Sequence, residues 1–555
     1  MLPNENVVRA QGTAPGYYLA AVLLGSSAYL YINLFAGLRT PFLLGGDQVL
    51  FWANAQRLLH GELIYRDFLE FTPPGTDLLY LGAFTLLGSR IWIPNLIVLL
   101  LGVILCWLCF YIARSIMKPA QAALAAALVM VLDYGKMING THHWFSVLAV
   151  MGALAVLLKA TTPARIVIAG TLLGAASFFT QTRGAIAALG VAGFLIWDRL
   201  QTQTKESDAT HIKRLLLLFL PLAAAWLALS SYFIAKVGFW QLWYFQVTYV
   251  LRYVASSSDP IVGSPGILAL LRTRDGFEYL LVYCALPIIY AASLWTCRKG
   301  SRDASRADVK GIVLLTLVGS MMFLEVAQSP NSIRLYCVAT PGIILFVRLL
   351  AVGLTSPARR YAAVMIWTGL ILVAAHQSWS RHLQQAMVLD LPAGRVATTP
   401  ITGGKLAWLT RHTTPGQFLF EARWVDVYLP LALRNPVFTD MLEGGHKSRD
   451  EFVDLSIRQL EAQRVQYIIW SPRLESPAYP FAKFHEFLIE RYRRVLAFPD
   501  QDEVWELKSL PESARLNESS QCRPMPSVST TAAQLHKWPA VHVTRVWRIQ
   551  QFDAD

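Results

Sequence analysis

A succession of long apolar segments restricts the fold of this chain more than any other feature. Residues 17–376 hold most of the long apolar runs, and the first of them, 17–38, is long enough to cross the roughly 30 Å apolar core of a bilayer as an α-helix. Residues 377–555 read instead as an ordinary mixed sequence. The sequence therefore predicts a polytopic α-helical membrane domain over 1–376 and a soluble domain over 377–555.

Composition agrees with this division and argues against a nucleic-acid partner. The chain is 54% apolar and only 15% charged, whereas soluble domains carry about 25% charge. The formal net charge is +13, but the basic residues lie in short loops between apolar segments and form no separate basic face. This pattern is typical of cytoplasmic loops in membrane proteins. We therefore expect membrane lipids, and no nucleic acid, as partners.

The basic loops also predict which side of the membrane each loop faces. Four of them are expected to be cytoplasmic: 159–165, 198–214, 297–310 and 355–360. Counting crossings places the following outside: loops 39–75, 133–143, 181–184, 236–276 and 328–334, and everything after 376. Segment 76–88 reaches only about 20 Å as a helix. We interpret it as a partial helix, with 91–113 and 120–132 as the neighbouring crossings.

The soluble region alternates between helix-like and strand-like pieces, which indicates an α/β domain with a small sheet. Strand-like pieces occur at 417–422, 436–440 and 465–472, and residues 493–507 read as a hairpin. Residues 508–530 are rich in Pro and Ser and are expected to be irregular. Of the six cysteines only Cys522 falls in this region, so it holds no internal disulfide.

Charge is concentrated in the first outer loop, where residues 46–75 read GDQVLFWANAQRLLHGELIYRDFLEFTPPG. Residues 47–60 fit an amphipathic helix lying at the outer interface, with Gln56 and Arg57 on its polar face. Asp47 is its first residue, where the helix dipole stabilises a carboxylate. A plain helix N-cap is the alternative interpretation of Asp47.

Three further charged residues of this loop are candidate site residues: Arg66, Asp67 and Glu70. They suit a reaction in which an acceptor hydroxyl attacks a lipid-linked phosphosugar. A carboxylate would take the proton, and arginine would hold the phosphate leaving group. The alternative is an interfacial salt-bridge cluster without a chemical role.

The second outer loop, VLDYGKMINGTHHWFS, is unusually polar for a turn between membrane spans. Asp133, Lys136 and His143 are candidate substrate or phosphate ligands, and solvated loop caps are the alternative. We predict no metal site, because the adjacent side chains of His142 and His143 diverge on a helix. In addition, no carboxylate lies at a ligand-like spacing from them.

Three arginines on the predicted outer side are candidate phosphate clamps: Arg183 at the outer end of a span, Arg252 after the aromatic outer helix, and Arg334 in a short outer turn. A guanidinium binds phosphate in a fork at the depth where a polyprenyl phosphate presents its headgroup. Each arginine can instead extend its charge to the membrane interface without binding anything. Glu325 is a nearby intramembrane acid that either pairs with one of them or lines a cavity.

The first outer loop resembles a known family. One span is followed by an acid on a membrane-parallel helix and then by a G-x-x-x-Y-R-D-F-x-x-x-T-P-P-G exit. This order is similar to that of bacterial GT-C glycosyltransferases, in particular glycosyltransferase family 39 and its relatives. Those relatives include protein O-mannosyltransferases and lipid A aminoarabinose transferases. The likeness also covers the architecture of about eleven to thirteen spans followed by an outer α/β domain.

The resemblance implies a polyprenyl-phosphate-linked sugar donor, a hydroxyl acceptor on protein, lipid or glycan, and no metal or other cofactor. It implies that Asp47 acts as the base or orients the acceptor, and that the protein lies in a bacterial inner membrane. Two positions depart from the pattern. Gln48 stands where many relatives carry a second acid, and Thr72 stands where relatives often carry lysine.

Two other function classes remain as alternatives to an enzyme. A lipid or solute transporter would carry broken spans in matching halves, and the sequence shows no such internal symmetry. A non-catalytic GT-C-like scaffold in envelope glycan assembly is compatible with Gln48 in place of a second acid.

Overall fold

The computed structural model describes residues 14–202, 208–254, 271–272, 274–298, 306–327, 332–442, 449–475 and 481–508. Long helices dominate the first part of the chain. They span Ala14–Leu34, Gly75–Leu87, Trp92–Arg114, Pro119–Leu128, His142–Lys159, Pro163–Phe179, Arg183–Thr202, Asp208–Val237, Arg274–Arg298, Arg306–Ala327, Ser332–Gly353 and Ser356–Gln384. Eight helices of the described residues are long and apolar enough to cross a membrane. The chain is an integral membrane protein, as predicted.

Close helix packing in this bundle depends on small residues. Gly170 and Gly174 lie four residues apart on Pro163–Phe179 and face Asp208–Val237. A Cβ atom at Gly170 would lie 2.3 Å from the carbonyl oxygen of Leu218, so only glycine allows this approach. Such paired small residues are typical of membrane helix contacts, where the backbones come close together.

The first outer loop forms the helix Gln48–Leu59, called the loop helix below. The polar face of this helix is buried within the protein rather than exposed. Gln56 and Arg57 are only 8% and 6% exposed, because the soluble region covers that face. The Nη1 atom of Arg57 donates a hydrogen bond of 2.9 Å to the carbonyl oxygen of Val437.

The aromatic outer segment begins with the short helix Phe239–Trp243 and continues as a π-helix over Tyr244–Val254. Trp240 is exposed, whereas Phe245 is buried. This amphipathic distribution agrees with the predicted interfacial helix. Residues 255–270 and 273 of the predicted loop lie outside the described residues.

The soluble region contains a four-stranded sheet packed with helices, which confirms the predicted α/β class. Strand Phe420–Glu421 runs parallel to Tyr467–Trp470, which pairs antiparallel with Glu503–Leu507. Tyr492–Ala497 completes the sheet next to Glu503–Leu507. The helices are Pro400–His412, Tyr428–Leu431, Asp450–Ala462 and Ala482–Arg491, with a 3₁₀ turn at Pro472–Glu475.

The structure differs from the predicted soluble region at two places. A hairpin, Met387–Leu391 with Gly394–Thr398, follows the last long helix, which runs to Gln384 rather than ending near 376. The predicted strand at 436–440 is wrong. Its backbone is hydrogen-bonded to the first outer loop instead, because the carbonyl oxygen of Phe438 accepts a hydrogen bond of 2.8 Å from the Leu69 amide.

The described residues up to Glu506 form one compact unit, in which the soluble region contacts the helical part of the chain. The Leu43 amide donates to the carbonyl oxygen of Ala397 at 2.8 Å, and the Ile91 amide donates to that of Ala393 at 3.0 Å. A two-stranded ribbon, Phe35–Gly37 with Thr40–Pro41, lies between the first helix and the loop helix. The predicted irregular segment 508–530 lies outside the described residues except for Lys508.

Candidate functional site

Asp47 lies at the start of the loop helix, and the structure does not support the plain N-cap interpretation. Gly46 turns the chain into the helix with a φ of 76°, a conformation that favours glycine. The Asp47 side chain makes no capping hydrogen bond to the helix and is exposed. It lies close enough to Arg334 to interact with it electrostatically. The carboxylate is therefore accessible and has a cation beside it.

Arg334, the cation beside this carboxylate, lies near a second arginine, Arg183. Arg183 is 1% exposed, and its Nε lies 2.8 Å from Oε2 of Glu325. Its Nη1 atom is buried without a hydrogen-bond partner among the described residues. Arg334 is half-buried and interacts electrostatically with Arg183, Glu325 and Asp47. A guanidinium nitrogen is thus left available in a buried position.

A histidine pair borders the two arginines. The side chains of His142 and His143 do not diverge as expected, since their ring centres lie 3.9 Å apart. Phe51 of the loop helix contacts His142 edge-on at 5.5 Å. Both histidines interact electrostatically with Arg183 and Arg334. The Nδ1 atom of each ring has no hydrogen-bond partner among the described residues. The arginine cluster, as we call it, consists of Asp47, His142, His143, Arg183, Glu325 and Arg334.

The other candidates of the second outer loop form separate contacts. Asp133 is fully buried between helices and accepts a hydrogen bond of 3.0 Å from Oγ1 of Thr340. Lys136 forms an ion pair with Glu278 and lies 5.4 Å from the ring centre of Tyr336. Because Tyr336 is two residues after Arg334 on one helix, the two side chains project from different sides. Lys136 therefore lies on a different side of this helix from Arg334, and the hydrogen bond from Thr340 is the contact that holds Asp133.

Arg66 and Asp67 form an exposed salt bridge on the loop surface. The guanidinium donates twice to the carboxylate, at 2.9 and 2.6 Å. Asp67 also accepts a hydrogen bond from the Leu63 amide at 2.8 Å, which stabilises the turn. This pairing raises the pKa of Arg66. The contacts explain both residues structurally.

Glu70 organises the buried exit of the loop. Its Oε1 accepts hydrogen bonds from the amides of Phe71 and Thr72, each at 2.8 Å, and its Oε2 accepts one from Asn54 at 2.9 Å. Asp77, fully buried, lies near enough to interact electrostatically with Glu70. We did not anticipate Asp77 from sequence, although an acid on an apolar helix was the available signal.

The structure also places Arg252, a predicted phosphate clamp, and Gln48, the position where relatives carry a second acid. Arg252 is exposed on the π-helix Tyr244–Val254, unlike the buried Arg183. Gln48, where relatives carry a second acid, links the two outer loops: its Nε2 donates to the Gly45 carbonyl oxygen at 2.8 Å, and its Oε1 accepts from the Gly140 amide at 2.9 Å. Gln48 is therefore a structural residue that sequence reasoning had considered only as a missing acid.

The described residues contain no group of three or more His, Cys, Asp or Glu side chains arranged to hold a metal ion. The expectation of a metal-independent reaction stays a prediction, because this observation concerns the protein ligands alone.

Comparison with known proteins shows the fold. No family model matches the chain, and no curated protein matches it. ArnT from Cupriavidus metallidurans bound to undecaprenyl phosphate is similar, with a TM-score of 0.55 and 14% identity over 89% of this chain and 98% of that one. Its apo structure gives a TM-score of 0.54 and 13% identity over the same shares.

The oligosaccharyltransferase AglB from Archaeoglobus fulgidus, in complex with an inhibitory peptide and a dolichol-phosphate, matches at a TM-score of 0.48. Its identity is 13%, over 90% of this chain and 75% of that one. ArnT belongs to the GT-C superfamily. With its bundle of membrane helices and the α/β domain that follows them, this chain has the GT-C fold.

Proposed function

We propose that this protein is a membrane glycosyltransferase that transfers a sugar from a polyprenyl-phosphate-linked donor to a hydroxyl acceptor at the outer membrane face. One observation carries the proposal: an accessible carboxylate, Asp47, lies beside Arg334, and Arg334 in turn interacts with the buried Arg183. Phosphate release and hydroxyl deprotonation need these two kinds of group at one place.

The reaction follows from these groups. The acceptor oxygen attacks the anomeric carbon of the donor sugar, and the bond from that carbon to the phosphate oxygen breaks. Asp47 takes the hydroxyl proton. The polyprenyl phosphate leaves with the bonding electrons, and Arg183 and Arg334 stabilise its additional negative charge. Direct attack inverts the anomeric centre.

The unpartnered Nη1 of Arg183 supports a phosphate at this position. A buried guanidinium nitrogen without an acceptor is costly, and a phosphate oxygen would supply the missing bond. Glu325 fixes the orientation of Arg183 through the 2.8 Å ion pair. His143 lies beside the same arginines, and we propose that it also contacts the donor.

In this proposal six of the candidate residues have supporting roles rather than chemical ones: Arg66, Asp67, Glu70, Asp133, Lys136 and Arg252. The likeness to ArnT bound to undecaprenyl phosphate supports a polyprenyl donor. We further propose a bacterial inner membrane location with the α/β domain outside, and transfer without a divalent metal, so that a chelator leaves the rate unchanged.

Lipid binding tests the proposal without knowledge of the sugar. Purified full-length protein in nanodiscs is incubated with undecaprenyl phosphate or with undecaprenol, and bound lipid is measured by native mass spectrometry. We expect preference for the phosphate, and a loss of roughly 10- to 100-fold in Arg183→Met and Arg334→Met, since hydrogen bonds to charged groups contribute about 1.5–3 kcal/mol. Arg458→Met, on the exposed surface of the α/β domain, is the matched control.

Equal binding of both lipids, or unchanged binding in both variants, would contradict the phosphate site. Binding without sugar transfer from any polyprenyl-phosphate donor would favour the scaffold or transporter instead.

A further inference from the structure

Gln48 is held in one orientation by two hydrogen bonds of opposite kinds. The residue is 1% exposed, although its neighbour Asp47 is exposed. Its Nε2 donates to the carbonyl oxygen of Gly45 at 2.8 Å, and its Oε1 accepts from the amide of Gly140 at 2.9 Å. A carbonyl oxygen only accepts, and a backbone amide only donates. These two bonds, called the Gln48 bridge below, therefore need a side chain that donates at one atom and accepts at another.

An ionised acid cannot form the Gln48 bridge. A carboxylate only accepts hydrogen bonds, so it would place a negative oxygen against the carbonyl oxygen of Gly45. Burial of a charge without a partner is strongly unfavourable. The second acid that many relatives carry at this position would therefore disrupt the arrangement seen in this chain.

The hydrogen bond to Gly45 restrains the backbone that carries Asp47. Gly45 and Gly46 precede Asp47 and are both exposed, and glycine leaves a chain more conformational freedom than any other residue. Because Gly45 and Gln48 lie on either side of Asp47, their hydrogen bond closes a short ring around it. The Asp47 side chain makes no capping bond to the helix. The ring therefore limits the movement of a carboxylate that follows two flexible residues.

The hydrogen bond to Gly140 sets the second outer loop against the loop helix. The carbonyl oxygen of Gly140 accepts from the Tyr80 hydroxyl at 3.0 Å, so this residue is held at both of its backbone polar groups. A Cβ atom at Gly140 would lie 2.2 Å from the same hydroxyl oxygen and would displace Tyr80. Two residues further on, His142 contacts Phe51, which follows Gln48 by three residues. One face of the loop helix thus contacts both Gly140 and His142.

We infer that Gln48 is a positioning residue, whose carboxamide fixes Asp47 relative to the histidine pair of the arginine cluster. This inference rests on the proposed function. Reacting groups must be held within about 0.5 Å of their productive geometry, and a displacement of about 1 Å can reduce a rate roughly 100-fold. Gln48 then supplies geometry at a position where relatives carry an acid, and it supplies no second base.

Gln48→Met tests the role of the bridge, because methionine keeps the side-chain volume and makes neither hydrogen bond. Full-length protein in nanodiscs is supplied with polyprenyl-phosphate-linked sugars, and kcat and KM are measured from about pH 5 to pH 9. Hydrogen exchange at Gly140, followed by mass spectrometry, reports whether the bridge persists. We expect faster exchange at Gly140 and a loss of roughly 10- to 100-fold in kcat at every pH. The KM for the donor and the binding of undecaprenyl phosphate should be retained.

Gln48→Glu distinguishes positioning from packing. When it is protonated, a carboxyl group donates through one oxygen and accepts through the other, as a carboxamide does. A buried carboxyl group keeps its proton to a higher pH than an exposed one. Asp47 on the same helix and His142 on the facing loop also titrate, so each rate is divided by the wild-type rate at the same pH. We expect this ratio to rise roughly 10-fold or more from pH 9 to pH 5, and the ratio for Gln48→Met to stay constant.

Gln463→Met and Gln463→Glu make the same replacements at the exposed end of Asp450–Ala462 and should transfer at the wild-type rate. A wild-type kcat in Gln48→Met despite faster exchange at Gly140 overturns the inference, and so does a Gln48→Glu ratio that does not depend on pH. Loss of undecaprenyl phosphate binding and of the unfolding temperature together with kcat also overturns it, because Gln48 then only maintains the fold. Absence of transfer by the wild type from any donor, with Gly140 protected, would contradict the proposed function and leave Gln48 no chemistry to position.

Discussion

At the scale of residues, Arg183 is a charge held in a buried position by one counterion. Glu325 neutralises it at 2.8 Å, and Thr182 also donates a hydrogen bond to Glu325. Buried ion pairs contribute little net stability, because desolvation offsets their attraction. The pair is better explained by what it offers to a ligand, since one guanidinium nitrogen remains unpartnered.

A second buried charge network lies in the α/β domain. Nζ of Lys405 lies 2.9 Å from Oε1 of Glu421 and 2.9 Å from Oδ2 of Asp502. Burial by itself lowers the pKa of Lys405, but Glu421, Asp426 and Asp502 together raise it above its usual value. Burial, followed by the charge of Asp426, raises the pKa of Glu421 to about 8, although Lys405 opposes this shift. Three carboxyl groups compete for one lysine.

This network predicts a pH-dependent stability. Because the pKa of Glu421 is higher in the folded state than the usual value near 4.3, its stabilising contribution is complete below about pH 4 and is lost as the pH rises to about 8. Glu421→Gln cannot ionise and still accepts from Lys405. The unfolding temperature of the variant relative to wild type should therefore increase by roughly 2–4 °C or more between pH 5 and pH 9.

Tryptophan fluorescence follows unfolding in this comparison, and the exposed Glu486→Gln is the matched control for loss of one surface carboxylate. A difference between wild type and Glu421→Gln that is constant or decreases with pH would contradict the shifted pKa.

At the level of residues, sequence reasoning identified the candidate arginines but did not predict which of them are buried. Arg183, Arg252 and Arg334 look alike in sequence, since each stands on the predicted outer side next to apolar or aromatic residues. Only packing distinguishes the buried Arg183 from the exposed Arg252. Burial depends on which helices become neighbours, and that depends on contacts between residues far apart in the chain.

At the scale of elements, the loop helix is held by three different parts of the protein. Gln48 connects it to the second outer loop, Asn54 connects it to Glu70, and Arg57 connects it to the α/β domain. The guanidinium of Arg57 also packs 4.5 Å from the ring centre of Phe68. These contacts fix the position of Asp47 at the end of a rigid element, as precise chemistry requires.

Helix packing provides a second prediction. Gly170→Ala would place a methyl group 2.3 Å from the backbone oxygen of Leu218, which cannot move without displacing a whole helix. We expect a loss of about 1–3 kcal/mol, measured as a lower unfolding temperature in detergent. Gly152→Ala meets its nearest atom at 3.6 Å, and this control should be neutral or stabilising by up to about 1 kcal/mol. Equal effects of the two substitutions would contradict the close approach.

At the level of elements, helices were predicted correctly where a long apolar run defines them. Segments 91–113 and 120–132 correspond to Trp92–Arg114 and to Pro119–Leu128 with its π-helical continuation Val129–Tyr134. It failed for 436–440, where a strand-like sequence pairs its backbone with a distant loop. Local propensity does not determine such pairing, because strand formation depends on tertiary context.

At the scale of the whole molecule, the α/β domain and the outer loops lie on one side of the helical bundle. Leu43, Ile91 and Leu69 each donate a backbone hydrogen bond to the soluble region. The basic loops of the opposite side predict that this shared side faces out of the cell.

Cysteine labelling tests this sidedness. In a background with Cys284, Cys297 and Cys522 replaced by Ser, Glu461→Cys in the α/β domain should react with a membrane-impermeant maleimide in intact cells whose outer barrier has been removed. Thr162→Cys, in a basic loop between two helices, should react only after the membrane is permeabilised. The reverse pattern would place the arginine cluster on the cytoplasmic side and contradict the predicted topology.

The measurement that tests the central claim most directly is sugar transfer by Asp47→Asn. Full-length protein in nanodiscs is supplied with polyprenyl-phosphate-linked sugars, and the rate of donor consumption in the presence of acceptor is compared with wild type. Asparagine keeps the shape of the side chain but cannot take the proton, so we expect a loss of roughly 10²- to 10⁴-fold with undecaprenyl phosphate binding and unfolding temperature retained. Asp454→Asn, at the surface of the α/β domain, should transfer at the wild-type rate. Transfer by Asp47→Asn at the wild-type rate would contradict the account.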